Sequence, residues 1–269
     1  MKINPKIVTA FLLMILIQTA CNLGGRAAPS AEIPTNIPEI ATAAATPTAQ
    51  PLHQRVSLES APITESGKGP DYELKAQIPL LEGSDDPRVE GFNQAASQVV
   101  QREIDSFKQM LADMSVVPIV AGSSFDMQYS LLSSPGNILS IKFDAYQYAD
   151  GAAHPFSYSV TLNYDLEAGQ EISLGQLFLP DTDYLPAIAT YCQAELGKRD
   201  IGFDMFSDGA NPTPENYRNW NITPDGLLIT FDPYQVAAYA AGPQIVLIPY
   251  ATLKDMIDPQ GPLGNQWVP

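Results

Sequence analysis

Nine residues from Phe156 to Tyr164 alternate without a break. Phe156, Tyr158, Val160, Leu162 and Tyr164 fall on one side of an extended chain, with Ser157, Ser159, Thr161 and Asn163 on the other. A period of two over this length fits a strand with one apolar face, so the chain has to build a sheet and cover that face. Other segments supply the neighbours. Ser123 to Leu132 and Ile138 to Tyr148 read as strands joined by the turn Ser134-Pro135-Gly136-Asn137, with Phe125, Met127, Tyr129 and Leu131 alternating in one and Leu139, Ile141 and Phe143 in the other. Tyr72 to Ile78, ended by Pro79, reads as an edge strand, where a proline costs no ladder bond. Asp225-Gly226, between Trp220-Asn221-Ile222 and Leu227 to Phe231, has the composition of a hairpin turn with positive φ, and Ile245 to Ile248 gives a last strand.

Two segments switch to the helical period. Asp86 can cap a helix with Pro87 at its first position, and Val89, Phe92, Ala96, Val100, Ile104, Phe107 and Leu111 recur at steps of three and four. The opposite side carries Glu90, Gln94, Gln98, Gln101, Asp105 and Gln109 and reads as a solvated surface. A second helix, about Tyr184 to Leu196, places Leu185, Ile188, Cys192 and Leu196 on one stripe and stops at Gly197, where a left-handed cap is expected. Strands outnumber helices and hairpins connect them. The expected fold is α+β, with antiparallel sheet packed by helices on one face, in a two-part domain of sub-parts about 56–150 and 151–257.

The N-terminus carries an address. Lys2 and Lys6 precede an apolar run from Ile7 to Ile17, shorter than the roughly 20 residues a membrane span requires, and Thr19-Ala20-Cys21 follows. Residues 1–20 read as a secretory signal peptide. Small residues before a cysteine are the cleavage pattern of bacterial lipoproteins, so Cys21 is expected to carry lipid, although Gln18 stands where an aliphatic residue is usual. Residues 21–55 hold Pro29, Pro34, Pro38, Pro47 and Pro51 among Ala, Thr and Ser and read as a tether, with His53 solvated inside it. Residues 258–269, with three prolines and two glycines, read as a loose tail. Localisation is therefore exported and extracytoplasmic, anchored by lipid to the cell membrane or an outer membrane. Cys192, the other cysteine, reads as a buried, inert thiol.

Charge narrows the partners. With 30 acidic and 14 basic residues the net charge is -16, which repels nucleic acid and suits a basic protein. His154, in Asp150-Gly151-Ala152-Ala153-His154-Pro155, is the one histidine of the expected folded part, so histidine catalysis would pass through it. No nucleophile elbow and no His-Glu-x-x-His occurs, and neither a metal nor a cofactor is expected. A bend shaped by Gly151 and Pro155, with His154 bonding backbone across it, is the plainer reading. Thr230-Phe231-Asp232-Pro233-Tyr234 departs from the Thr-Phe-Asp-Asp-Gly motif of polysaccharide deacetylases at its last two positions, and that family's His-x-x-x-His pair is missing. Asp144, Asp150 and Asp165 sit near strand ends, where turn aspartates are common. Tyrosines gather around the strands, and Tyr148, Tyr234 and Tyr239 join His154 and Asp150 as candidate binding residues. No residue is assigned as catalytic.

The blocks Asp150-Gly151-Ala152-Ala153-His154-Pro155, Thr161 to Leu166 with Gly169, Ile172-Ser173-Leu174, Leu177-Phe178, Asp225-Gly226-Leu227, Phe231 to Ala237, Tyr239 to Gly242 and Ile245 to Tyr250 occur in an order that resembles the extracellular domain of the RsiV/PdaC-like superfamily, over roughly residues 70 to 257. The resemblance implies a two-part α+β domain outside the cytoplasm, which in the RsiV anti-sigma factor binds lysozyme and in PdaC precedes a peptidoglycan deacetylase domain. It implies a non-enzymatic, lipid-anchored binding module for a cell-wall-related partner, lysozyme or peptidoglycan. An envelope hydrolase acting through His154 and nearby carboxylates is the alternative, and a structural scaffold the third.

Overall fold

The computed structural model describes residues 50–114, 122–133 and 136–264. The expected signal peptide, most of the tether, Cys21, the turn residues Ser134 and Pro135 and the end of the tail lie outside them. Six strands form the first sheet in sequence order: β1 (Ser57–Gly67), β2 (Tyr72–Glu82), β3 (Ser123–Ser133), β4 (Ile138–Tyr148), β5 (Phe156–Asp165) and β6 (Gln170–Glu171). The α+β class and the hairpins β3–β4 and β4–β5 match expectation, but β2 and β3 run parallel over Tyr72 to Ala76. A parallel neighbour needs a crossover, and helix α1 (Pro87–Asp113) supplies it, so one βαβ unit sits inside an otherwise antiparallel sheet. β2 is not the edge, since β1 pairs along its whole length. Pro79 lies past the stretch where β2 meets β3, so its missing N–H is needed on one side at most.

Helix α1 forms as its spacing predicts. The Asp86 carboxylate accepts from the backbone N–H of Arg88 at 3.0 Å, and the Arg88 guanidinium and N–H hold that carboxyl down at about 2. All seven stripe residues are buried, and with Ala95 and Val99 they cover Leu74, Phe125, Ile141, Phe143 and Leu162 on one face of the sheet. Tyr164 closes this core edge-on against Phe92, 5.5 Å between ring centres. Leu52 joins it, and His53 Nδ1 lies 2.8 Å from Asn137 Oδ1. The chain is thus packed from Leu52 onward, and His53 is partly buried rather than solvated, because a short 3-10 turn over Leu52–Gln54 drops Leu52 beneath the sheet.

The sheet continues through Glu171, so β5 and β6 complete the first layer and the change of sheet falls later than residue 150. The second sheet is antiparallel, β7 (Trp220–Ile222), β8 (Gly226–Phe231) and β9 (Gln244–Pro249), with helix α2 (Tyr184–Leu196) on one face and helix α3 (Tyr250–Leu253) at its end. Ile188, Cys192 and Leu196 of α2 pack with Ile222, Ile229, Phe231 and Ile248. Burial pushes the Cys192 thiol up to about 12, consistent with an inert side chain. Gly197 caps α2 with φ -64°, so no left-handed turn is used there. Gly226 is not a positive-φ turn residue but the first of β8, where a Cβ would stand 2.3 Å from the Ile248 carbonyl oxygen. Leu263 is buried in this core, so the tail is packed up to residue 264.

The two sheets meet through polar atoms. Ser140 of β4 and Asn163 of β5 lie on the side of the first sheet away from α1, and both are buried. Ser140 Oγ donates to Asn163 Oδ1 at 2.6 Å and accepts from Asn221 Nδ2 and the Ile222 N–H, each at 3.0 Å. Asn163 Nδ2 donates to the Trp220 carbonyl at 2.9 Å, and Asn221 Nδ2 also reaches the Ile141 carbonyl. These bonds satisfy the backbone of β7, which would otherwise be buried unpaired. Replacing Asn163 with Leu strands the Trp220 carbonyl and the Ser140 hydroxyl, and a cost of about 2–4 kcal/mol is expected in urea unfolding; an unchanged midpoint would contradict the role given to this seam.

Candidate functional site

A cleft of about 610 Å³ opens where the start of β5, helix α1 and the segment after β8 converge. Glu103 and Ser106 come from α1, Phe156 and Tyr158 from the start of β5, and Arg218, Asp232, Tyr234 and Gln235 from the second half of the chain. Glu103 lies one residue before the core residue Ile104, which turns it to the flank of the helix, and its Oε2 accepts from the Tyr158 hydroxyl at 2.9 Å. Phe156 stacks on Tyr158 with ring centres 5.6 Å apart.

Asp232 anchors the wall. It follows the last residue of β8 and is only 6% exposed. Its Oδ1 accepts from the Ser159 N–H at 2.8 Å, and its Oδ2 from the Arg218 guanidinium at 3.0 Å and Asn219 Nδ2 at 3.1 Å. Burial raises its proton affinity above the ordinary 3.8, and the bonds from Ser159, Arg218 and Asn219 pull the other way without cancelling it. The carboxylate therefore ties the β8 end to β5 and holds Arg218, whose side chain remains 61% exposed, over the opening. Burial also raises the Tyr158 phenol, with the Glu103 carboxylate next in effect, so that hydroxyl stays a donor.

His154 stands beside the cleft on the loop between β4 and β5. Its ring stacks on Tyr239 with centres 4.3 Å apart, and the Tyr239 hydroxyl donates to the Pro155 carbonyl at 2.8 Å. His154 Nδ1 is 2.8 Å from that same carbonyl oxygen, and Nε2 is 3.3 Å from the Tyr234 hydroxyl. A carbonyl only accepts, so Nδ1 carries a proton, and in the neutral ring Nε2 is the acceptor facing Tyr234. Tyr234 has φ +72°, a conformation that a non-glycine residue holds only under constraint. Its backbone position brings the phenol between His154 and the cleft.

The structure thus gathers His154, Tyr234 and Tyr239 in one place. Tyr148 and Asp150 go elsewhere: Tyr148 lines a separate recess of about 580 Å³ with Lys68 and Tyr72, and the Asp150 N–H donates to Ser123 Oγ at 3.0 Å. Asp144 accepts from Lys142 and from Ser159 Oγ on β4 and β5, and Asp165 caps the turn at Glu167 and Ala168. Among the described residues no three His, Cys, Asp or Glu side chains converge as metal ligands. Arg218, Glu103, Tyr158 and the wall role of Asp232 are not legible in the sequence. The side-chain bonds that build the wall span 13 to 73 positions, and no local spacing signals them.

Truncating Asp232 to Ala leaves the Ser159 N–H and Asn219 amide buried without an acceptor, and a loss of about 1–3 kcal/mol is expected at neutral pH. The pH dependence has a defined sign. Because the folded state binds this proton more tightly than the unfolded chain, the wild type loses stability relative to the Ala variant as pH rises from about 4 through the raised value. Urea midpoints of both proteins across that range check it; a gap that widens with pH would contradict the account.

With this geometry in hand, comparison with known proteins places the fold. Residues 175–251 match the family model described as a protein of unknown function, DUF3298. The peptidoglycan-N-acetylmuramic acid deacetylase PdaC of Bacillus subtilis is 27% identical over 207 residues, 76% of this chain and 42% of that protein. The immunogenic protein MPB64 of Mycobacterium bovis is 30% identical over 129 residues, 48% of this chain and 56% of its own. An esterase of Mycobacterium tuberculosis is 37% identical over 84 residues, 30% of this chain and 36% of that one. The chain spans about half or less of the length of these relatives. A DUF3298 family crystal structure from Bacteroides fragilis superposes with a TM-score of 0.57 at 17% identity, covering 76% of this chain and 94% of that one, and one from Pseudomonas aeruginosa with 0.52 at 15% identity and the same coverage. The chain has the DUF3298 family fold and is related at low identity to PdaC-type envelope domains.

Proposed function

We propose that the protein is an exported, lipid-anchored envelope domain that hydrolyses an ester or amide of a cell-wall-related substrate, with His154 as the base. The observation that carries this reading is the fixed imidazole: Nδ1–H is held by the Pro155 carbonyl, and Nε2 presents its lone pair to the Tyr234 hydroxyl at the edge of the cleft. A base oriented by one hydrogen bond and aimed by the other is the arrangement general-base hydrolysis needs. Nε2 takes the proton of a water as the water oxygen bonds to the substrate carbonyl carbon, and the imidazolium gives that proton to the leaving alcohol or amine as the C–O or C–N bond breaks. The exposed N–H groups of the Arg218 guanidinium are donors for the oxyanion, and Asp232 keeps them in place. The relative named as an esterase supports the reaction class, and PdaC supports the cell-wall setting.

A second reading is favoured by the net charge of -16: the domain captures a basic protein such as lysozyme, or peptidoglycan, without turnover, as the RsiV resemblance implies. One pair of assays separates them. Hydrolysis of p-nitrophenyl acetate by the purified protein is expected to fall by at least ~100-fold in His154→Ala with the fold retained by circular dichroism. Absent turnover in the wild type, or equal turnover in the variant, would overturn the base assignment. Lysozyme binding that survives high salt would then establish the second reading, and binding seen only at low salt would remove it.

A further inference from the structure

We infer that the cleft is one end of a longer groove that takes an extended, uncharged polysaccharide. This names the substrate class of the same site and so rests on the reading of that cleft as the working site. A second depression of about 340 Å³ runs along β5 from Ser159 to Thr161, and it shares Glu103, Tyr158 and Arg218 with the first. The two therefore adjoin across Glu103, Tyr158 and Arg218, with Tyr234 on the far side of the first and Arg102 and Thr161 on the far side of the second. A small ester would occupy only the first; a groove flanked by a helix along one side suits a polymer.

The lining decides which polymer. Phe156 and Tyr234 are 39% and 50% exposed, and Phe156 stacks on Tyr158, so flat ring faces are on offer for the apolar faces of sugar rings. Gln147 and the side-chain oxygen of Asn216 also line the cleft and can meet hydroxyl groups, whereas the Gln235 amide is held by the backbone of Asp232, Gly209 and Asn216. The groove holds two guanidinium groups, and each already has its own carboxylate: Arg102 pairs with Glu103 at 3.3 Å and Arg218 with Asp232 at 3.0 Å. No net positive charge is left to receive a polyanion, and a chain of net charge -16 repels one. Uncharged sugar units meet neither cost.

The test is direct binding by the full chain to a panel of neutral and acidic glycans that includes chitobiose, chitohexaose and polygalacturonate, with p-nitrophenyl acetate turnover measured on the same preparation. Neutral glycans are expected to bind, and six-unit chains at least about tenfold more tightly than two-unit ones, because only the longer reach the second depression. Thr161→Arg, which fills that depression from a half-buried strand position at its rim, should bring the six-unit affinity down to the two-unit level, and Phe156→Ala should weaken both. Binding confined to acidic glycans, no binding of any neutral glycan, or no dependence on chain length would overturn the inference. Turnover without glycan binding overturns the substrate class alone; glycan binding without turnover overturns the hydrolase reading and leaves the groove standing.

Discussion

Strand β7 lies across β4 and β5 with buried backbone groups that no strand of the large sheet can pair. Ser140, Asn163 and Asn221 meet them instead, and everything that forms the cleft follows from that contact. Once Trp220 and Ile222 are fixed over β5, β8 is fixed by its ladder to β7, and Asp232 at the end of β8 arrives opposite Ser159. A buried amide network of this kind is stabilising only while every strong donor and acceptor in it is met. Asn221 Oδ1 and Thr230 Oγ1 are the two buried side-chain atoms among the described residues without a hydrogen-bond partner.

The polar half of the alternation in β5 has a second meaning in this light. Ser157, Ser159, Thr161 and Asn163 read as a solvent face, yet Ser159 and Asn163 are buried because the second sheet covers them. Period-two patterning reports which face is apolar, not whether the other face meets water or another polar surface. The same limit explains where the sequence was readable. Helix α1, its cap, its stripe and the hairpins β3–β4 and β4–β5 rest on local spacing, and they are where expected. The edge strand β1 lacks clean alternation, and the parallel pairing of β2 with β3 depends on where α1 returns the chain, which no local pattern encodes.

The candidate site divides along the same line. His154 was visible as a lone histidine beside Gly151 and Pro155, and Tyr234 and Tyr239 as neighbours of a strand end. That the three rings form one cluster is a consequence of the loop 232–242 folding back onto the β4–β5 loop. Tyr148, closer to His154 in sequence, ends β4 and lines the other recess, and the Asp150 backbone is tied to Ser123. The Asp232 wall, its guanidinium and the Glu103–Tyr158 pair draw on three distant segments, so their chemistry exists only in the folded chain.

The account of function turns on which imidazole nitrogen of His154 holds the proton. Long-range proton–nitrogen correlation spectra of the neutral side chain, with the signal assigned by its loss in His154→Ala, read this directly. The account predicts a protonated Nδ1 and an unprotonated Nε2 turned to Tyr234. A proton on Nε2 would mean that the histidine donates to the phenol, has no lone pair to offer at the cleft, and is not a base.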